Sequence, residues 1–195
     1  MERVAVFVDG SNLYHGLKNA FARADIDFLK LAQALAGDRQ LVRIYYYNVP
    51  RRQEDDPRSY EEQLRFFENL RRTEYLTVNL GRLQKRHTKT TVKETCPKCG
   101  QPCEFTENVP TYTEKGVDVK LAVDMIRLAR NNVFDTAVIV TEDADFVPAV
   151  HEVQEYGKHV ESAYTRRAYH LPTECDRFVL LDRSFMEECF IRKAT

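Results

Sequence analysis

The sequence predicts an α/β protein built on an open, mostly parallel β-sheet that is flanked by helices. Three observations indicate this class. Short apolar runs rich in β-branched residues alternate with segments of helical periodicity. Two of these runs, residues 4–8 and 137–140, are apolar at every position, which is typical of strands buried on both faces. Asp9 follows the first run directly and Glu142 follows the second after one threonine, where parallel strands place ligand sites at their carboxyl ends.

The remaining elements follow in the same alternating order along the chain. The residues at helical spacing predict helices within 13–21, 28–35, 64–70 and 121–129. Apolar runs predict further strands at 41–47, 75–80 and 159–163, with a last edge strand at 178–181 and a short helix that reaches Phe190.

Composition narrows the class of protein. The chain has 195 residues and 43% hydrophobic residues, enough for one globular domain over residues 1–195 and too many for a disordered protein. Its 29 basic and 30 acidic residues exclude a uniformly basic nucleic-acid coat. Because no apolar run approaches the roughly 20 residues that span a bilayer, and the chain enters a strand directly after Met1, we expect a soluble cytoplasmic protein without membrane contact.

One segment, residues 82–115, interrupts the alternation and predicts an insertion that resembles a zinc knuckle. Three of the five cysteines fall here, at Cys96, Cys99 and Cys103, a spacing that suits tetrahedral zinc better than a disulfide framework. His87 is the nearest fourth ligand, and Cys175 and Cys189 compete for that place. Free thiols, or a redox pair of the first two cysteines, are the alternatives.

The first acidic position, Asp9, follows the strand at 4–8. Gly10 allows a sharp turn there, so that Asp9, Ser11 and Asn12 face one crevice at the sheet edge. The simpler interpretation is that Ser11 or Asn12 only caps the next helix while Asp9 complements its positive end.

Two further strand or helix ends carry acids. Glu142, Asp143 and Asp145 fall within four residues after the strand at 137–140, and so many carboxylates at one end favour a divalent cation over a cap. Asp118 begins the most apolar helix and is expected to head its buried stripe. Asp124, off that stripe, is expected to pair with Lys120 or Arg127.

A basic run accompanies these acids. Between residues 82 and 93 the chain has no acid and carries five cations that would suit a phosphate backbone, Arg82, Lys85, Arg86, Lys89 and Lys93. An ordinary solvated loop is the alternative interpretation. His15, by contrast, stands alone and is expected to be a structural or surface residue.

Three strings together resemble one known family over nearly the whole chain. Residues 6–13 read VFVDGSNL, residues 115–125 read KGVDVKLAVDM, and residues 143–148 read DADFVP. They are similar to the NYN domains of the LabA-like bacterial group, relatives of PIN-domain nucleases. The resemblance implies a PIN-like, Rossmann-like fold with an acidic pocket at the carboxyl edge of the sheet.

The resemblance also implies a function and its residues. It implies a Mg²⁺- or Mn²⁺-dependent ribonuclease in which Asp9, Asp118, Asp143 and Asp145 hold one or two cations, with Asn12 as their polar companion. Carboxylate-held cations would supply a hydroxide and stabilise charge at the scissile phosphate, without a side-chain nucleophile. RNA is the expected substrate, DNA stays open, and so does homodimerisation.

Two positions depart from the usual family string, Ser-Gly-Asp-Ser-Asp-Phe. This chain has Glu142 in place of the glycine and Ala144 in place of the second serine. The replaced glycine would suit a positive φ, and the added carboxylate would change metal affinity or obstruct the pocket. These departures support an alternative hypothesis, a catalytically weak RNA-binding or regulatory module.

Overall fold

The computed structural model describes residues 1–95, 101–165 and 170–191. Within these ranges a six-stranded sheet forms the centre of the molecule, with the strand order β3-β2-β1-β6-β7-β8, and every neighbouring pair is parallel. Its strands are β1 (Arg3–Asp9), β2 (Gln40–Asn48), β3 (Leu76–Leu80), β6 (Thr136–Val140), β7 (His159–Tyr164) and β8 (Arg177–Leu180). The predicted α/β class and the predicted edge strand are confirmed.

The helices connect these strands and cover both faces of the sheet. They are α1 (Gly10–Phe21), α2 (Phe28–Ala36), α3 (Pro57–Arg71), α4 (Val117–Arg130), α5 (Val147–Glu155), α6 (His170–Glu174) and α7 (Arg183–Met186), with a 3₁₀ turn at Ala144–Phe146. Asp27 and Asp56 cap α2 and α3 by accepting hydrogen bonds from backbone amides of their first turns. The predicted helices are present, but the last one, α7, ends at Met186 and does not reach Phe190.

The strand β1 lies at the centre because its residues are apolar on both faces. Val4, Val6 and Val8 pack with α1, α2 and α3 in one hydrophobic cluster, whereas Ala5 and Phe7 pack with α4 and α5 in a second cluster. All five side chains are almost completely buried. Burial of this kind contributes about 25 cal/mol per Å² of apolar surface, so β1 holds the two layers together.

The insertion is a long antiparallel ribbon, which the sequence did not predict. Its strands are β4 (Arg82–Thr95) and β5 (Pro102–Lys115), paired from Arg82–Lys115 at the root to Thr95–Pro102 at the far end. Fourteen residues per strand correspond to a length of about 45 Å. Because its root pair joins β3 to α4, the ribbon starts at the carboxyl edge of the central sheet.

Without the ribbon, the strand order is 3-2-1-4-5-6, the order of doubly wound sheets. The order reverses between β1 and β6, and crevices at such a reversal are where this architecture binds ligands.

None of the helices in the described ranges combines the length and apolarity needed to cross a bilayer.

Candidate active site

A polar pocket of about 330 Å³ lies at the carboxyl ends of β1 and β6. Three elements meet there: the start of α1 after β1, the start of α4 after the ribbon, and the loop after β6. The pocket is lined by Asp9, Ser11, Asn12, His15, Gly16, Asn19, Asp118, Glu142 and Asp143. Asp145, also predicted for the site, is an exposed residue outside this lining.

Asp9 is the most deeply placed acid of the pocket. It is 7% exposed, and its carboxylate accepts hydrogen bonds from the Asn12 amide at 3.1 Å and from the Thr141 hydroxyl at 3.2 Å. The first of these bonds caps α1, so the cap is Asp9 and the expectation that Ser11 or Asn12 forms it is wrong. A capping role and a place in the pocket therefore coexist in one residue.

A chain of hydrogen bonds fixes Asp143 relative to Asp9. The Thr141 hydroxyl that donates to Asp9 also accepts from the Asp143 amide at 3.3 Å. The Asp143 carboxylate in turn accepts from the Asp145 amide at 2.9 Å, which caps the 3₁₀ turn. The ends of β1 and β6 thus position two carboxylates through one shared threonine.

Asp118 reaches the pocket from the first turn of α4. The buried stripe of α4 is headed by Val117 and continues through Leu121 and Met125, so the expectation that Asp118 heads this stripe is wrong. Asp118 lies one position further on and is exposed at the rim. Asp124 accepts hydrogen bonds from Arg127 at 2.8 Å and from the Tyr47 hydroxyl at 3.1 Å, which confirms its pairing with Arg127.

Asn12 connects the first and second loops of the site. Its side-chain carbonyl accepts a hydrogen bond from the Glu142 amide at 3.1 Å. The Glu142 carboxylate accepts from the hydroxyl of Thr165 at 2.9 Å and from its amide at 3.3 Å. Glu142 does not have a positive φ, so this turn does not require the family's glycine. Its carboxylate lies at the pocket wall.

The electrostatics of the pocket reflect crowded acids. Burial raises the pKa of Asp9 to about 6, against the two hydrogen bonds that lower it, and Asp118 and Asp143 add to the rise. Burial also raises the pKa of Asp118, with Asp143 and Asp145 acting in the same direction. Such mutual repulsion is the condition that a bound cation relieves.

The donor set suits a hydrated hard cation. Among the residues that the structure describes, no three acidic, histidine or cysteine side chains lie close enough to ligate one ion directly. Mg²⁺ binds carboxylate oxygens and usually keeps several waters. A pocket of about 330 Å³ with several carboxylates in its wall therefore fits a cation held largely through its water shell.

One face of α1 contributes residues that the sequence analysis did not assign to the site. His15, Gly16 and Asn19 follow Asn12 at helical spacing and line the pocket with it. His15 is exposed, as expected of a surface histidine, but the sequence did not assign it to this pocket. The sequence could have predicted these residues, since positions three, four and seven after Asn12 lie on the same face of the helix.

Gly10 is needed for a reason other than the turn. It is the first residue of α1 and does not have a positive φ. A Cβ built there would lie 2.3 Å from Cζ and the hydroxyl of Tyr46 and 2.7 Å from Nδ2 of Asn48. Glycine at this position lets α1 approach β2 closely, and it does not relieve backbone strain.

The ribbon register separates His87 from the cysteine cluster. His87 pairs with Pro110 and Cys103 pairs with Glu94, so seven steps, roughly 23 Å, lie between them. His87 is therefore not the fourth ligand of a zinc that Cys103 binds. Cys189 is buried in the core, which removes it as a candidate too. Cys96 and Cys99 lie outside the described residues, and of Cys103 the structure describes only the backbone.

All five predicted substrate-binding cations lie on the strand β4 of the ribbon. Arg82, Lys85, Arg86 and Lys89 are exposed, and Lys93 forms an ion pair with Glu104 at 2.7 Å. Ser11, the remaining predicted contact, lines the acidic pocket itself.

Comparison with known proteins agrees with this architecture. The model of the NYN domain family matches residues 3–182. An uncharacterised protein of Methanocaldococcus jannaschii is 45% identical over 51 residues, which cover 26% of this chain and 21% of that relative. A crystal structure of a protein of unknown function from Vibrio parahaemolyticus aligns over 94% of this chain and 95% of its own, with a TM-score of 0.63 and 22% identity, and so shares the fold.

Proposed function

This chain belongs to the NYN domain family of PIN-like nucleases, and from that premise we propose that it is a metal-dependent nuclease. The observation that carries the proposal is the convergence of Asp9, Asp118 and Asp143 from three separate elements on one pocket. Caps explain Asp9 and Asp143 individually, but they do not explain why Asp118 faces the same space. The three strings that resemble the LabA-like group support the same activity.

We assign the cation site to Asp9, Asp118 and Asp143, with Asp145 acting from the rim. Mg²⁺ or Mn²⁺ there would activate water and neutralise charge on the phosphate that is attacked. Asp9 is held rigidly by Asn12 and Thr141, so its carboxylate costs little reorganisation during the reaction. Asn12, anchored through its carbonyl by Glu142, directs its amide group toward substrate or water.

The substrate side of the pocket is formed by α1 and the ribbon. Ser11 and His15 offer hydrogen bonds to phosphate oxygens from the pocket wall. The exposed ribbon cations Arg82, Lys85, Arg86 and Lys89 extend the contact along the backbone of a nucleic acid, whereas Lys93 is already paired with Glu104. RNA is the proposed substrate, on the strength of the family resemblance, and DNA is the comparison in the experiment below.

A second candidate function is favoured by Glu142. Its carboxylate adds a further negative charge to the pocket wall, which would repel a scissile phosphate. If no cation balances that charge, the same surface would bind RNA without cleaving it. This regulatory module is the alternative that the activity measurement decides.

The decisive experiment is cleavage of end-labelled single-stranded RNA and DNA of the same sequence. The wild type, Asp143→Asn and the control Asp38→Asn are compared with Mg²⁺, with Mn²⁺ and without added cation. Asp38 is exposed in the turn before β2, on the opposite edge of the sheet. We expect cleavage that depends on the cation, is lost at least 100-fold in Asp143→Asn and is unchanged in Asp38→Asn.

Two outcomes would contradict the proposal. Cleavage that persists in folded Asp143→Asn would indicate a contaminant or another site. An inactive wild type that still binds RNA would favour the regulatory module, and Glu142→Gly would then show whether the added carboxylate is the cause.

We also propose that Cys96, Cys99 and Cys103 bind a structural zinc at the far end of the ribbon. Their spacing supports this, and the fourth ligand is left to a group outside the described residues, because Cys175 packs against the hydrophobic cluster of the central sheet. Mass spectrometry of metals in tag-free protein should find about one zinc per chain. The zinc should be lost in Cys96→Ser and retained in Cys175→Ser. Absence of zinc from the wild type would end the proposal.

A further inference from the structure

The pairing register divides the ribbon cations between two faces. Directly paired residues of an antiparallel ribbon point to the same side, and side chains alternate along each strand. The pairs Arg82–Lys115 and Arg86–Thr111 therefore share one face, which we call the root face. Lys85, Lys89 and Lys93 point to the opposite side.

The opposite side is turned toward the body of the protein near the root. Leu83, which lies on it, packs against the hydrophobic cluster beneath α4. The guanidinium of Arg52 lies 3.6 Å from the ring centroid of Tyr112, the pairing partner of Lys85. These contacts hold that side of the base against the body, while Arg82 and Arg86 on the root face are exposed, as are Lys85 and Lys89 on the opposite side.

The charges of the two faces are balanced differently. On the opposite side, Lys93 forms an ion pair with Glu104. Arg52, which contacts that side, pairs with Asp55 at 2.7 Å and with Glu54. On the root face Arg82 and Lys115 stand directly opposite each other, an arrangement of like charges that is destabilising. Among the side chains that the structure describes, none forms an ion pair with these two or with Arg86, nor with Lys85 and Lys89, but the pairing partners of the last two, Tyr112 and Asn108, are uncharged. An anion between them would relieve this repulsion.

The base of the ribbon lies next to the acidic pocket. Lys115 precedes Asp118 by three residues, which sets an upper limit of about 11 Å between their backbones. Along a helical strand, successive phosphates lie about 3.4 Å apart along the axis. A strand whose scissile phosphate occupies the pocket would thus bring a phosphate to the root face within roughly three nucleotides.

We infer that Arg82, Arg86 and Lys115 form a subsite for the phosphates that flank the scissile bond. This inference rests on the proposed nuclease function and changes the set of residues that the sequence suggested. Lys115 enters the set because the register places it opposite Arg82. Lys93 leaves it because Glu104 already neutralises its charge.

The test is the binding of a short, labelled single-stranded RNA, measured by fluorescence anisotropy over a range of salt concentrations. All variants are made in the Asp143→Asn background, so that turnover is blocked without a chelator that would strip zinc. The double variant Arg82→Gln/Lys115→Gln is compared with the matched control Lys93→Gln. Thermal melting of each variant verifies folding, and Lys115→Gln alone decides the matter if the double variant does not fold.

We expect the double variant to bind about tenfold more weakly, and its slope of log affinity against log salt to be smaller by about 1.4, or 0.7 for each lost phosphate contact. Lys93→Gln should stay within about twofold of its parent. Equal losses in both variants, an unchanged slope in the double variant, or no binding by the parent would overturn the inference. Root-face binding without any cleavage by the wild type would instead refute only the nuclease proposal.

Discussion

At the scale of single residues, Asp9 combines a functional position with a cost in stability. A carboxylate that is 7% exposed is held among other acids, and burial raises its pKa to about 6. Without a bound cation, the charged form of this group is therefore less stable in the folded protein than in the unfolded chain. A bound cation is expected to remove this cost in folding stability.

The substitution Asp9→Asn removes that penalty. In protein without Mg²⁺ at pH 7.5, we expect the free energy of unfolding to rise by about 2 kcal/mol. Because the folded pKa is raised, the wild type gains stability as pH falls through 6 toward 4, and the advantage of the variant disappears over that window. Thermal melts at several pH values measure this, with Asp38→Asn as control, and a variant less stable than wild type at pH 7.5 would contradict the account.

The site residues differ in how far the sequence could reveal them. Asp9 and Asp143 were predictable, since carboxyl ends of parallel strands share one edge of a sheet. His15 and Asn19 were missed because a lone polar residue on a helix has many uses, and only its distance from Asn12 indicated the pocket. His87 was assigned wrongly because pairing register, which sets its distance from Cys103, cannot be read from ligand spacing.

At the scale of elements, the contact between α1 and β2 depends on Gly10. A methyl group at this position would overlap the ring of Tyr46, which is buried and whose hydroxyl accepts a hydrogen bond from Asn48 at 2.7 Å. We expect Gly10→Ala to destabilise the fold by about 2 to 3 kcal/mol. Chemical denaturation measures this, and Tyr46→Phe should partly rescue the variant because it removes one of the two nearest atoms. Additive effects of the two changes would refute the steric explanation.

The amino ends of β1 and β6 are connected by an ion pair between Arg3 and Asp135. The Arg3 amide donates to Asp135 at 2.8 Å, and its guanidinium makes two further bonds to the same carboxylate. The guanidinium of Arg3 holds the pKa of Asp135 well below its usual range. The stability that this pair contributes is therefore present above the ordinary aspartate pKa and is lost as pH falls below it.

We expect Asp135→Asn to lower the free energy of unfolding by about 1 kcal/mol at pH 7, a modest value because solvent reaches a third of both side chains. Urea denaturation at pH 7 and pH 3 provides the measurement. The difference from wild type should shrink at the lower pH, and a difference independent of pH would show that the ion pair is not its origin.

The ribbon is the element that the sequence concealed. Its strands expose both faces, so the alternation of apolar and polar residues that identifies a strand is missing. Thr88, Thr90 and Thr91 favour extended structure, but threonine propensity without burial is a weak signal. The central strands were predictable for the opposite reason, because β1 and β6 are buried on both faces.

At the scale of the whole molecule, the ribbon is attached to a fold that closes without it. The pair Arg82–Lys115 brings the two ends of the insertion within about 5.5 Å of each other. Replacement of residues 84–113 by an Asn-Gly turn should therefore leave the central sheet intact. We expect a cooperative melt within about 5 °C of wild type, since mainly the contact of Arg52 with Tyr112 is lost.

The same deletion separates the functions assigned to the ribbon from those of the pocket. Zinc content should fall to zero and RNA affinity should decrease, whereas stabilisation of the protein by Mg²⁺ should persist because the pocket acids are retained. Metal analysis and thermal melting with and without Mg²⁺ measure both. A shortened chain that fails to fold would show that residues 1–195 form one inseparable unit.

The two-sided burial of β1 has a consequence for how the protein opens. Alternate residues of β1 belong to the cluster under α1 and to the cluster under α4, so neither helical layer detaches without exposing one side of the strand. Its amides should exchange hydrogen with solvent only when the whole domain unfolds, later than those of the edge strand β8. Asp9, at the end of β1, would then keep its place through every partial opening, and the acidic pocket would persist until the molecule melts.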